Sequence, residues 1–161
     1  MQKDIIELAQ RLGQVLQAKN WLAATAESCT GGGVAYAITA ISGSSAWFDR
    51  SFVTYTNEAK QQMLGVTAST LETCGAVSEA VVREMTAGTL AHSQANIAVA
   101  ISGIAGPTGG SEEKPVGTVW IAWQTCEGEA RAERYLFSGD REQVRLQAIR
   151  EALSGLLSFS E

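Results

Sequence analysis

Residues 25–41 read TAESCTGGGVAYAITAI. A short, largely apolar strand, WLAATAE at 21–27, runs into this stretch, and a helix expected over about 31–41 leaves it. The result is a strand–turn–helix unit, the building block of an α/β domain. Its glycines are locally unfavourable: three in a row at a helix start cost about 2–3 kcal/mol relative to alanine. A helix that only had to begin needs no more than one Ser or Thr as its N-cap. Bare backbone beside the Ser28–Cys29 pair therefore points to a site, with the glycines expected to let a ligand lie against the helix start.

Outward from this unit, Ile5, Ile6, Leu8, Ala9, Leu12, Val15 and Leu16 recur at helical spacing and predict a helix over 3–19. SFVTYT predicts a second strand, EAKQQML a short helix stopped by Gly65, and TASTLETCG a further helical turn or two. Ser78 is an N-cap candidate for a longer helix carrying Val81, Met85 and Leu90. NIAVAISG is a continuous apolar run, as expected of a strand covered on both faces. After the glycine-rich GIAGPTGGSEEKP, the strands VGTVWIAWQT and EARAERYLFS form an expected hairpin about CEGE. Asp140 caps a last helix through Leu157. This alternation predicts one domain over 1–161, a three-layer α/β/α sandwich with a mixed, mostly parallel sheet.

Composition narrows the function classes. The 45% hydrophobic content and two prolines argue for a globular chain rather than a disordered one. A net charge of −5 without a Lys/Arg cluster argues against nucleic acid as a partner, while leaving room for a small phosphorylated ligand. The N-terminus lacks a signal-peptide run and no segment is suited to span a membrane, so the expected compartment is the cytoplasm. Cys29, Cys74 and Cys126 are odd in number and widely spaced, which predicts neither a disulfide framework nor a zinc site.

Three places could carry chemistry. Ser28, with backbone N–H groups of Cys29, Thr30, Gly31 and Gly32 beside it, could be a nucleophile next to an oxyanion or phosphate site. Cys29 is the rival nucleophile. The loop entered through Ser102 and Gly103, with Ala105 and Gly106, lies where α/β proteins bind ligands, beyond the carboxyl end of a strand. Arg141 and Arg145 are one turn apart on the last helix and suit an anion, although a solvated, ion-paired face explains their spacing equally well. A base for Ser28 could be His92, the only histidine, or a desolvated lysine such as Lys60, which follows the strand carrying Tyr55. The spacing does not choose between them.

The blocks AESCTGG, FVTYTNEAK, GAVSE, SGIAGPTGGSEEKPVGTV and FSGDREQVRLQA, in this order, resemble the CinA C-terminal domain family along essentially the whole chain. Its stand-alone members include nicotinamide-nucleotide amidohydrolases, while longer relatives carry a further N-terminal domain. The resemblance implies a cofactor-free and metal-free hydrolysis of the carboxamide of nicotinamide mononucleotide, and a homodimer. It assigns the nucleophile to Ser28, with Tyr55 and Lys60 assisting. On this reading the loop from Ser102 to Gly110 walls the nucleotide, and Arg141, Arg145 or Lys114 meets its phosphate. A non-catalytic nucleotide-binding or regulatory module using the same pocket is the alternative from another class, and a Cys29 thiol amidase a third.

Overall fold

A computed structural model describes residues 1–161. In chain order the elements are α1 (Lys3–Lys19), β1 (Ala23–Glu27), α2 (Gly33–Thr39), β2 (Phe48–Val53), α3 (Asn57–Leu64), α4 (Ala68–Cys74), α5 (Glu79–Ala91), β3 (Ile97–Gly103), β4 (Thr118–Thr125), β5 (Arg131–Leu136) and α6 (Arg141–Ser160). A short 3-10 turn, Ser44–Ala46, precedes β2. The five strands form one sheet in the order β2-β1-β3-β4-β5. β1 pairs in parallel with β2 and β3, whereas β3–β4 and β4–β5 are antiparallel. The sheet is therefore mixed as expected. It is mostly parallel in strand direction, with β4 alone reversed, but evenly divided in its pairings.

Both faces of the sheet are covered, which explains the uninterrupted apolar run of β3. Ile97, Val99 and Ile101 enter a core with Leu12, Leu16, Val34, Leu153 and Leu156 of α1, α2 and α6. Ala100 faces the other way, toward Leu64, Leu71, Val81, Val82 and Met85 of α3, α4 and α5. Each large apolar side chain fully buried in this way contributes about 1.5–3 kcal/mol. The small strand residues on the second face bring α5 close, and Gly88 lies against the Leu64 carbonyl of α3 with no room for a Cβ.

Helix boundaries follow the caps. Thr56, Thr67 and Ser78 each accept a backbone N–H at the start of α3, α4 and α5. Asp140 and Gln143 form a capping box on α6, which runs past the expected Leu157 to Ser160. Helix α2 starts later than predicted because Gly31 and Gly32 adopt left-handed backbone, φ 58° and 96°, and belong to the turn before it, and it ends at Thr39 rather than 41. The second strand ends at Val53, so Thr54 and Tyr55 form the connection into α3. No helix is long and apolar enough to cross a membrane.

This topology places a switch point at β1. The chain leaves β1 to β2 on one side, then returns to β3 on the other. Glu27 is paired in register with both Val53 and Ile101, so β1 and β2 end together and β3 runs on two residues to Gly103. The crevice beyond such carboxyl ends is where open α/β sheets bind ligands.

Candidate active site

At that crevice lies a cavity of about 340 Å³, within the range of small-molecule sites. Ser28 follows β1, Lys60 comes from α3, Ser102 and Gly103 end β3, and Arg141 opens α6. Cys29, Tyr55, Ala105 and Gly106 complete the predicted residues that line it. Ile104, Thr108 and Gly109, from the loop expected to wall a nucleotide, also face the cavity, and sequence reasoning missed only Asn57, Ala76 and Val77. Ala76 and Val77 belong to the block GAVSE, to which no role had been attached.

The central contact joins Ser28 and Lys60. Lys60 Nζ is 3.1 Å from Ser28 Oγ and donates to the Thr54 carbonyl at 2.8 Å. The lysine side chain is buried at 1% exposure, and none of the four ion pairs in the protein includes it. Burial therefore pushes its ammonium below the ordinary lysine range, against a smaller opposing contribution from Cys29. A lysine so placed is a candidate base for the serine beside it.

The other candidate nucleophile is in the opposite state. Cys29 is buried, and its thiol is pushed up to about 12 by loss of solvent. Such a thiol holds almost no thiolate at neutral pH. His92 caps the end of α5, where its Nδ1 lies 2.8 Å from the Gly88 carbonyl, and it does not line the cavity.

The cations divide just as sharply. Arg145 donates to the Cys29 and Thr30 carbonyls at 3.0 and 3.3 Å, stitching the Ser28 turn to α6 behind the cavity wall. Lys114 is spent on the Cys74 carbonyl at 2.8 Å, pinning the glycine-rich loop to the end of α4. Arg141 alone among the three lines the cavity. It donates to the Gly106 carbonyl at 2.8 Å and to the Tyr55 hydroxyl at 3.1 Å, and makes no ion pair. Tyr55 is 59% exposed, and its hydroxyl touches Arg141 rather than Ser28 or Lys60.

Thr30, Gly31 and Gly32 do not line the cavity. The glycines thus serve the chain rather than a ligand: two supply the left-handed turn, and a Cβ on Gly33 would collide with Ile149 of α6. Nor is the start of α2 open to an anion. Its Val34 and Ala35 N–H groups donate to the buried Glu27 carboxylate at 2.9 and 3.0 Å. The Cys29 and Thr30 N–H groups have no acceptor within the protein, while Ser28 N–H is held by the Ile101 carbonyl at 3.0 Å. No cluster of three His, Cys, Asp or Glu side chains suited to a metal gathers here or elsewhere.

Comparison with known proteins converges on one family. The model of the CinA C-terminal domain matches residues 5–160. The nicotinamide-nucleotide amidohydrolase PncC of Escherichia coli (strain K12) is 58% identical over 153 residues, 95% of this chain and 93% of the relative. The protein of the same name from Pseudomonas putida is 53% identical over 155 residues, 96% of each chain. Among solved structures, the competence/damage inducible protein CihA from Agrobacterium tumefaciens superposes with a TM-score of 0.98 at 46% identity, over 100% of this chain and 98% of that one.

Proposed function

Because this chain belongs to the CinA C-terminal domain family, we propose that it hydrolyses the carboxamide of nicotinamide mononucleotide, giving nicotinic acid mononucleotide and ammonia. The observation that carries the chemistry is the 3.1 Å approach of a buried, unpaired Lys60 amine to Ser28 Oγ.

The Thr54 carbonyl holds one N–H of Lys60, leaving the lone pair of the neutral amine to take the Ser28 proton. Ser28 Oγ then bonds to the amide carbon, and the carbonyl π electrons move onto oxygen. The unpaired Cys29 N–H, next in the chain, is the donor offered to that oxyanion. As the C–N bond breaks, the Lys60 ammonium returns its proton to the nitrogen, which leaves as ammonia. Lys60, neutral again, takes a proton from water as the water attacks the ester, and returns it to Ser28 as nicotinic acid mononucleotide departs.

Arg141 is the cation available to the phosphate. Its present partners are a neutral carbonyl and a neutral hydroxyl, which a charged phosphate would outcompete. Tyr55 belongs in this arrangement to the phosphate end of the cavity, and comes to the reacting atoms only if its ring leaves Arg141. Binding the phosphate far from the amide orients the carbonyl over Ser28.

The test is incubation of the purified protein with nicotinamide mononucleotide, with products identified by mass and ammonia measured. Stoichiometric nicotinic acid mononucleotide and ammonia support the reading. Saturable binding without turnover would make the domain a nucleotide-binding module instead.

A further inference from the structure

Glu27 is the most completely engaged side chain near the cavity, yet it does not line it. It ends the strand AATAE at 0% exposure. Its Oε1 accepts from Thr30 Oγ1 at 2.7 Å and from the Val34 N–H at 2.9 Å. Its Oε2 accepts from the Ala35 N–H at 3.0 Å, and faces the hydroxyls of Thr25 at 3.0 Å and Ser51 at 3.3 Å, themselves 2.6 Å apart. No cation pairs with it. A buried carboxylate without a counter-ion is costly unless hydrogen bonds and dipoles satisfy it. Here the donors are the first turn of α2, the turn carrying Ser28, and a hydroxyl of the edge strand β2.

We infer that Glu27 is a positioning residue for the nucleophile, acting through Thr30. It takes up the Val34 and Ala35 N–H groups at the start of α2, and it ties Thr30 to the strand end. Residues 28–30 are thereby held from two sides: Glu27 grips the Thr30 hydroxyl, and Arg145 grips the Cys29 and Thr30 carbonyls. Ser28 lies inside this clamp with its N–H held by Ile101, and its Oγ sits 3.1 Å from Lys60 Nζ. Thr30 serves the reaction as this tie, without touching the substrate. The inference rests on Ser28 being the nucleophile of the proposed reaction.

The experiment compares Thr30→Val, which keeps the shape and removes the donor, with Thr30→Ser, which restores it, and adds Glu27→Gln. Two readouts are taken: steady-state kinetics on nicotinamide mononucleotide, and the rate at which phenylmethanesulfonyl fluoride labels Ser28, followed by peptide mass. A slackened turn should lower kcat and the labelling rate together, roughly 10- to 100-fold, since a misplacement of about 1 Å costs on that scale. KM should stay within about 3-fold, and Thr30→Ser should recover most of the loss. Folded Thr30→Val with parental kcat and labelling would overturn the inference. So would a loss confined to KM, which would make Thr30 a substrate contact. If Glu27→Gln does not fold, the Thr30 pair still decides. If the parent is labelled at Ser28 but releases no ammonia, the proposed reaction fails and the labelling rates alone judge the positioning role. If the parent shows neither, both fall.

Discussion

Lys60 Nζ stands 3.1 Å from Ser28 Oγ across 32 residues of sequence, and both are buried. The pair is possible because β1 and α3 meet at the carboxyl ends of the parallel strands, where the Thr54 carbonyl anchors the lysine. Burial makes the amine easier to deprotonate while leaving it no carboxylate that would hold its charge.

The rate should therefore rise with pH through an apparent pKa below the ~10.4 of free lysine. Lys60→Arg should fold and be nearly inactive, because a guanidinium stays protonated and accepts no proton. A pH–rate profile on both proteins checks this. Parental activity in Lys60→Arg would remove the lysine from the mechanism.

The same burial has a stability signature. A lysine whose folded-state pKa is depressed is deprotonated in the folded chain while still protonated in the unfolded chain. Between those two values stability rises with pH, by at most ~1.4 kcal/mol per pH unit from this group. Below the folded value the full penalty is present. Lys60→Met should thus gain on the parent as pH falls through this window, read as the difference in urea midpoints. A difference independent of pH across the window would contradict the desolvated lysine.

Cys29 should be dispensable. With its thiol pushed up to about 12, Cys29→Ala should keep ammonia release within about 10-fold of the parent, since only packing is disturbed. Iodoacetamide should modify the exposed Cys126 before Cys29, leaving activity intact. Inactivation in step with Cys29 alkylation, together with an inactive Cys29→Ala, would restore the thiol mechanism.

The two arginines of α6 should separate. Arg141→Gln should cost roughly 10- to 100-fold in kcat/KM on nicotinamide mononucleotide, the scale of a charged hydrogen bond, and much less on nicotinamide riboside. Arg145→Gln should lower activity on both substrates alike and lower the melting temperature, since it ties the Ser28 turn from behind. An unchanged preference for the phosphorylated substrate in Arg141→Gln would rule it out as the phosphate contact.

What the sequence made legible follows from periodicity and caps. Alternating strands and helices, the doubly covered β3 and the Asp140 cap are local patterns, and the structure has them all. The division of labour between Arg141 and Arg145 is not local. The four residues from Arg141 to Arg145 advance about 6 Å along the helix, enough to carry one guanidinium to the cavity and the other to the back of the Ser28 turn. The glycines are ambiguous for a related reason: an unfavourable run signals special backbone but not whether a ligand or the chain itself demands it. Here Ile149 and the left-handed turn do. Glu27 leaves a signal, a lone carboxylate closing an otherwise uncharged strand, but its five hydrogen-bonding neighbours come from four separate segments and only the fold gathers them.

Packing around the site sets a further limit. Gly88→Ala should destabilise the protein by about 1–3 kcal/mol or more, because α5 rests directly on the Leu64 carbonyl of α3, the helix that carries Lys60. Chemical denaturation reads the loss, and a midpoint equal to the parent's would show that the two helices are less tightly apposed.

The most direct test of the account is ammonia release by Ser28→Ala in a protein shown to be folded and still to bind nicotinamide mononucleotide. Removing the Ser28 hydroxyl while leaving Lys60 and the cavity in place should lower turnover by about 10³-fold or more, with affinity little changed. Turnover near that of the parent would contradict a serine mechanism altogether.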